Sequence, residues 1–473
     1  MRSKWKTLLS RTLLTAGLTG TPFAVYCGRG SGTEDGYTNL PVNLSKDYTP
    51  VRCRDGETIR EDRLKKNAEV AAISDPYDSH HVIAAWVGGQ GIISTVSFDA
   101  GHRWSKPRPL PLTACLNKEG EDFKGGADEW ITIGPDKTIY VSALVGYRRI
   151  DRQALLVDAS KDGGLTWQNP VVVPADPKLN SDIDNTSIAA DTEIPGLVYA
   201  ATESIHDETT SSIGFSRTVD GGKTWSPIRE VAKLTKGQRF PGPQLLFESR
   251  SKRLYTFARV QESGKSWIVR IYSDDRGISW SDPARIVECI SLQSEPQLGA
   301  AKIAFESAQD ILHVVEDEKS GRIYLVFADA RATNGRHLGI SLVLSPDQGR
   351  SWEQPVAVST ASDGHAFQPA VAVNSKQEIG VSYYDTRSVF PERPGKTLPI
   401  AVWLTIVGSG AKTSELRLDQ FNYQGLERRG LLDYQALIAI DGRFHAAYTK
   451  TNLRPDELAP IGAAENVTDI FFQ

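Results

Sequence analysis

The sequence predicts an all-β protein, a β-propeller of four-stranded antiparallel blades. Three observations predict it. One eight-residue phrase, seen as S-K-D-G-G-L-T-W at residues 160–167, occurs five times. Short alternating runs rich in β-branched residues, bounded by Gly, Asp and Pro, surround each copy, and this is how half-buried strands read. The composition agrees: of 473 residues 40% are hydrophobic, 24% are charged and 40 are Gly, which suits a turn-rich protein with a large core.

The N-terminus stands apart from this pattern. Arg2, Lys4, Lys6 and Arg11 precede a mostly apolar stretch from about Thr12 to Tyr26. A basic region followed by a short apolar one reads as a secretory signal or an N-terminal anchor over residues 1–27. The stretch is short and Gly/Thr-rich for a membrane span. Cys27 invites a lipid anchor, although Tyr26 is bulky where a lipidation site has a small residue. Residues 28–60 are polar and read as a linker. The expected location is therefore secreted, periplasmic or attached to the cell envelope, with any membrane contact made through the N-terminus. Cys53 and Cys115 flank the first repeat and suit a disulfide in an oxidising compartment, with unpaired thiols as the alternative. The net charge of −4 and the lack of a basic run beyond the N-terminus argue against nucleic acid.

The five copies are Ser97–Trp104, Ser160–Trp167, Thr218–Trp225, Ser273–Trp280 and Ser345–Trp352, and they hold half of the ten Trp residues. The Trp-to-Trp steps are 63, 58, 55 and 72 residues, the length of one supersecondary unit. Each unit reads as strand, tight turn, strand, loop, strand, phrase, strand, which is a propeller blade. Two further units lack the phrase, in "FQPAVAVNSKQEIGVSYYDTR" (367–387) and "DYQALIAIDGRFHAAYTK" (433–450). First strands then begin near Asn67, Asp128, Asp184, Phe240, Asp310, Phe367 and Asp433, giving seven blades, with six as the alternative. The last unit lacks a fourth strand, and a segment ahead of residue 67 is placed to lend one and close the ring.

The phrase sits at the hairpin between third and fourth strands and reads as a structural clip. Gly164 supplies positive φ where the chain reverses. Asp162 accepts N–H bonds of its own turn, Ser160 and Thr166 cap the hairpin, and Trp167 packs into the seam between units. The equivalent aspartates are Asp99, Asp220, Asp275 and Asp347.

This phrase is the Asp box, or BNR repeat. From about residue 60 to the end the chain resembles the Asp-box β-propellers of the sialidase (neuraminidase) superfamily. The box is specific for that fold group and only weakly specific for activity. The resemblance implies a glycoside hydrolase that clamps a substrate carboxylate with three arginines, attacks with a Tyr backed by a Glu, and uses an Asp as acid/base. Two features depart from the family. The F-R-I-P-like phrase of its first arginine is absent from "REDRLKKNAEVAAIS" (60–74), where Arg63 is nearby, and the family propellers have six blades.

In such blades first strands begin, and second strands end, on the face opposite the boxes. First-strand starts there give Asp128, Glu129, Asp184, Gln368, Asp433 and Tyr434; second-strand ends give Asp329 with Arg331, and Tyr384 and Asp385 with Arg387. As a functional set, Arg331 and Arg387 bind an anionic group. Asp329, Asp385, Glu129 and Asp184 complete the binding set, Asp128 or Asp433 acts as general acid, and Tyr384 or Tyr434 as nucleophile. The alternative is that each D-x-R pair is an internal ion pair that locks the ring. No cofactor is expected; a Ca²⁺ ion held by carboxylates near the axis is a third reading. His80 and His81 are placed in the first turn of their unit. The expected function is a sialidase-like propeller acting on glycans, as an exo-glycosidase removing a terminal acidic sugar. The alternative is a non-catalytic propeller that binds carbohydrate or protein. A monomer is expected.

Overall fold

Each unit folds as a four-stranded antiparallel sheet because its strands bury apolar side chains on both faces against neighbouring units. The computed structural model describes residues 41–46, 67–89, 91–111, 123–147, 153–176, 181–232, 235–293, 311–359, 363–387, 398–408, 413–423, 434–451 and 468–473. The expected Cys53–Cys115 bridge, Cys27 and residues 1–27, Arg63 and Asp433 lie outside these.

Seven blades form the ring. Blade one is β2 (Asn67–Asp75), β3 (Asp78–Gly88), β4 (Gly91–Ser97) and β5 (Arg108–Pro109). Blade two is β6 (Phe123–Ile133), β7 (Ile139–Tyr147), β8 (Gln153–Ser160) and β9 (Val171–Val172). Blade three is β10 (Asp182–Ala190), β11 (Val198–Asp207), β12 (Thr210–Thr218) and β13 (Arg229–Glu230). Blade four divides its inner strand into β14 (Gln238–Arg239) and β15 (Gln244–Glu248), followed by β16 (Arg253–Glu262), β17 (Lys265–Ser273) and β18 (Ala284–Cys289). Blade five is β19 (Leu312–Asp317), β20 (Arg322–Asp329), β21 (Gly339–Ser345) and β22 (Val356–Ala357). Blade six is β23 (Ala366–Val373), β24 (Ile379–Asp385), β25 (Leu398–Val407) and β26 (Thr413–Tyr423). Blade seven is β27 (Ala436–Ile440), β28 (Arg443–Thr451), β29 (Thr468–Phe472) and, from the other end of the chain, β1 (Val42–Asn43).

The ring therefore closes through the N-terminus, inside the stretch read as linker. Val42 pairs with Phe472 and Asn43 with Phe471. Asn43 Nδ2 and Ser45 Oγ donate to Asp469, and Asn67 Nδ2 donates to the Thr468 carbonyl at 2.8 Å. Fourth strands after the boxes are shorter than the sequence suggests. In "WQNPVVV" the ladder is Val171–Val172, with single N–H bonds from Gln168 to Ala159 and from Val173 to Leu155 on either side, because Pro170 has no N–H to give.

The boxes close their own hairpins as the sequence predicts. Ser160 Oγ donates to Asp162 Oδ1 and accepts the Gly164 N–H, both at 2.9 Å; Asp162 Oδ1 also accepts the Thr166 N–H at 2.9 Å. Asp99, Asp220, Asp275 and Asp347 repeat this pattern. The Thr224 hydroxyl, foremost among its partners, holds the Asp220 carboxyl down to about 2.

Each box also lies on the preceding blade. Trp280 meets Phe215 edge-on at 4.9 Å, Trp352 meets Phe257 at 5.6 Å, and Trp104 meets Phe472 at 5.0 Å, while Trp167 donates to Ser94 Oγ. Tyr255 of blade four donates to the Gln348 carbonyl in the box of blade five at 2.6 Å. His80 and His81 lie in β3 rather than in the turn before it. His81 is buried between Asp75, 3.1 Å away, and the Gly163 carbonyl of the next box; period-two alternation, not turn chemistry, decides its place.

Gly277 tests this seat. It and Gly264 both have positive φ, +82° and +76°. A Cβ at Gly277 would lie 2.5 Å from the Phe215 ring, whereas nothing lies within 4 Å of one at Gly264. Gly264→Ala is expected to cost about 1 kcal/mol, the left-handed penalty alone. Gly277→Ala is expected to cost clearly more, read from urea denaturation midpoints; equal losses would contradict the packing of box on blade.

Candidate functional site

First strands begin on the face away from the boxes, and there four of them break pairing in the same way. Glu69, Asp128, Asn185 and Gln368 all have φ between 48° and 53°. Each sits at a register shift, between Ala68/Val70, Ala127/Trp130, Asp184/Thr186 and Phe367/Ala370. A bulge re-aims the side chains around it, so polar groups collect at the axial mouth. Hydrogen bonds link them between blades. Asp128 N–H donates to Glu69 Oε2 at 3.1 Å, Thr186 Oγ1 to the Asp128 carbonyl at 2.6 Å, and Gln435 Nε2 to the Gln368 carbonyl at 2.8 Å.

Inside this mouth is a cavity of about 100 Å³, lined by β2 residues 70–73, Trp130, Ile131, His313 and residues 434–437. These come from blades one, two, five and seven, so the cavity lies on the propeller axis. Three rings gather there. Trp130 lies 5.1 Å from His313 and 5.2 Å from Tyr434, centroid to centroid. His313 is half-buried with Nε2 closed off and unpartnered, and burial lowers its pKa to about 4, so it is neutral at pH 7. Gln435 is 1% exposed and its Oε1 has no hydrogen-bond partner.

Glu129 adjoins the cavity wall. It is 0% exposed, and the Tyr434 hydroxyl donates to its carbonyl at 3.1 Å. Its carboxyl oxygens make no hydrogen bond of normal geometry, having only their own and the Ala71 N–H nearby. Burial foremost, then repulsion from Glu69, pushes this carboxyl well above the usual range. Burial thus disfavours the charged form of this carboxyl.

Of the residues read from sequence, Asp128, Glu129, Tyr434 and Gln368 come together at the mouth. Asp184 is half-buried there and accepts the Asn185 N–H at 3.0 Å; the bulge gives the left-handed place to Asn185 instead. The D-x-R pairs form the internal ion pairs that the sequence left as an alternative. Asp329 accepts Arg331 Nε and Nη2, both at 2.9 Å, and Arg331 Nη2 also reaches the Glu288 carbonyl. Arg387 bonds Asp385 at 2.8 Å and Glu415 through both terminal nitrogens, at 2.9 and 3.0 Å. Its guanidinium also covers the Trp403 ring at 4.1 Å. Both guanidinium groups are thus held by internal partners, Arg331 from blades four and five and Arg387 from blade six. Tyr384 is 0% exposed and exchanges two 2.9 Å bonds with the Thr449 backbone, tying blade six to blade seven away from the cavity. Among the described residues no three His, Cys, Asp or Glu gather as metal ligands.

Sequence reasoning missed Glu69, Trp130, His313 and Gln435. Trp130 directly follows Glu129 in "DEWITI", so its place was within reach. His313 carried no signal, because it reaches the axis from blade five.

Fold and boxes together define a seven-bladed Asp-box β-propeller. The BNR/Asp-box repeat family model matches residues 271–282, the box of blade four. No curated protein sequence matches the chain. Among solved structures the chain is similar to a Hadza microbial sialidase, with 13% identity, 84% of this chain and 73% of that one covered, and a TM-score of 0.49. It is similar to an α-L-arabinanase of Penicillium chrysogenum complexed with arabinobiose, with 13% identity, 80% and 99% covered, and a TM-score of 0.44. A phage phi92 endosialidase gives 11% identity, 86% and 66% covered, and a TM-score of 0.46.

Glu129 sets a pH dependence. A carboxyl raised in the folded state contributes stability that falls as pH climbs from its unfolded value, about 4.3, through its folded value. Glu129→Gln removes that slope. In thermal melts the variant is expected to gain on the wild type as pH climbs above that unfolded value; a constant offset between the two would contradict a raised Glu129 carboxyl.

Proposed function

We propose that this propeller recognises the end of a neutral sugar chain at its axial mouth. The observation that carries the reading is the convergence of the Trp130, Tyr434 and His313 rings on a cavity that Gln435 also lines. Ring faces pack on the C–H faces of a sugar, with a few polar groups beside them to orient it. A neutral sugar fits better than the acidic one expected from sequence. Arg331 and Arg387 are spent on Asp329, Asp385 and Glu415, and Glu69 and Asp128 at the mouth repel an anion. At about 100 Å³ the cavity takes part of one sugar ring and leaves the rest of the chain outside. On this reading residues 1–27 deliver the protein to the cell envelope or beyond it, where glycans are met.

A second reading is hydrolysis, favoured by one observation: Glu129, whose carboxyl is raised, lies beside Glu69 and Asp128, and carboxyls set apart in this way can serve as acid and base. Glu129 is sealed from solvent, so binding is the function that the geometry supports best.

A glycan array with the purified chain, run beside fluorogenic glycosides of sialic acid and of neutral sugars, tests both. Binding of neutral termini without turnover is expected. Trp130→Ala is expected to weaken it by at least about tenfold, equivalent to about 1.4 kcal/mol, while Trp130→Phe keeps most of it. Retention of sialylated glycans alone, or unchanged binding by a folded Trp130→Ala variant, would overturn the reading. Turnover that Glu129→Gln abolishes would establish the second.

A further inference from the structure

We infer that the box face of blades one to four rests on an anionic lipid surface, so that the axial mouth points away from the membrane. Eight large apolar side chains are exposed among the described residues. Six lie at turn tips of the box face. Tyr77 and Ile194 are in first-to-second-strand turns, while Phe98, Leu165, Val219 and Ile278 are in the boxes. Phe98, Val219 and Ile278 are 55%, 67% and 58% exposed. One exposed apolar residue alone is ordinary; their gathering on one face of four successive blades is not.

The tips abut. Phe98 stacks on His81 at 4.8 Å, and His81 bonds the Gly163 carbonyl of the next box. Arg217 of blade three donates to the Arg276 carbonyl in the box of blade four at 2.8 Å, and Arg276 pairs with Asp191 at 2.8 Å. Each of boxes one to four presents one apolar residue at its second or sixth position. In boxes one to three the other of these positions is His102, Lys161 or Lys223, all exposed. Blade five has Pro346 and Arg350 there, and the apolar arc ends with it. Asp99, Asp162, Asp220 and Asp275 are turned inward on their own hairpin N–H groups; Asp274, at the second position of box four, is 60% exposed and paired with Arg253 at 2.6 Å, so apolar and basic tips outnumber acidic ones along the arc. That combination suits the headgroup boundary of an anionic bilayer.

The path of the chain agrees independently. β1 runs antiparallel to β29, with Val42 opposite Phe472, so the polypeptide comes into blade seven from the box side, and Val42 is itself exposed there. Residues 1–40 precede this point, carrying Arg2, Lys4, Lys6, Arg11 and the apolar stretch 12–26. The entry point of the chain and the apolar arc thus share one side of the ring.

The test uses the full chain with a solvatochromic fluorescent amino acid placed at Val219, or separately at the exposed Lys236, which lies on the mouth face. Vesicles of phosphatidylethanolamine and phosphatidylglycerol are then added. A blue shift at Val219 and none at Lys236 is expected. Phe98→Ser together with Ile278→Ser, both at exposed tips that leave the core untouched, is expected to weaken vesicle partitioning by about tenfold. The proposal is overturned if the chain does not partition, if both probes or neither respond, or if the Val219 probe is already blue before vesicles are added. The last outcome would mean that the chain's own N-terminal segment covers the face.

Discussion

The ring depends on the seat of each box against the blade before it. A four-stranded blade cannot bury both of its faces alone; it needs a neighbour on each side. The box supplies the joint. Its Ser or Thr and Asp close a hairpin tight enough for its last Gly to lie on the preceding blade, against an aromatic ring in four boxes and against Val96 in the second. Gly101 meets Phe472, Gly222 meets Tyr140, Gly277 meets Phe215 and Gly349 meets Tyr255. Blades six and seven have no box and are tied otherwise, through Tyr384 and Thr449 and through β1. The N-terminal strand is thus part of the joint system, and the first and last parts of the chain are needed for the ring to close.

That closure creates the mouth. With seven first strands held around one axis, a bulge in four of them turns Glu69, Asp128, Asn185 and Gln368 into one polar collar. Just inside it Trp130, His313 and Tyr434 arrive from three different blades. No single blade contains the site, so its chemistry exists only in the closed ring. Burial sets that chemistry: it keeps His313 uncharged and raises the Glu129 carboxyl, beside a wall of aromatic rings.

Much of this was legible in the sequence because the boxes repeat. Five copies at near-constant spacing predict the hairpins, the seams and, with two box-free units, seven blades. The alternating strands then place Asp128, Glu129 and Tyr434 on the mouth face. The remainder required three dimensions. A one-residue bulge shifts side chains by one register position, and it puts Asn185 rather than Asp184 in the left-handed conformation that Glu69, Asp128 and Gln368 take in their blades. Arg387 looked available for an anion because its partner Glu415 lies on the fourth strand, 28 residues away. Asp158 gave no sign either. It stands where Thr95 and Ser216 donate to the Ser105 and Ser226 carbonyls, and burial pushes its carboxyl up to about 8. Whether a side chain is partnered by its own blade or offered to a ligand is decided between strands distant in sequence, and local pattern does not record it.

The two faces differ as their residues do. One carries boxes with apolar and cationic tips, the other a polar collar over an aromatic cavity. The claim that the second face receives the sugar is tested most directly by soaking crystals of the chain in a mixture of neutral oligosaccharides and locating the bound sugar. The account predicts a terminal sugar on the axis, against Trp130 and within hydrogen-bonding distance of Gln435. Sugar bound along the box face, or beside Arg331 and Arg387 with the axial cavity empty, would contradict it.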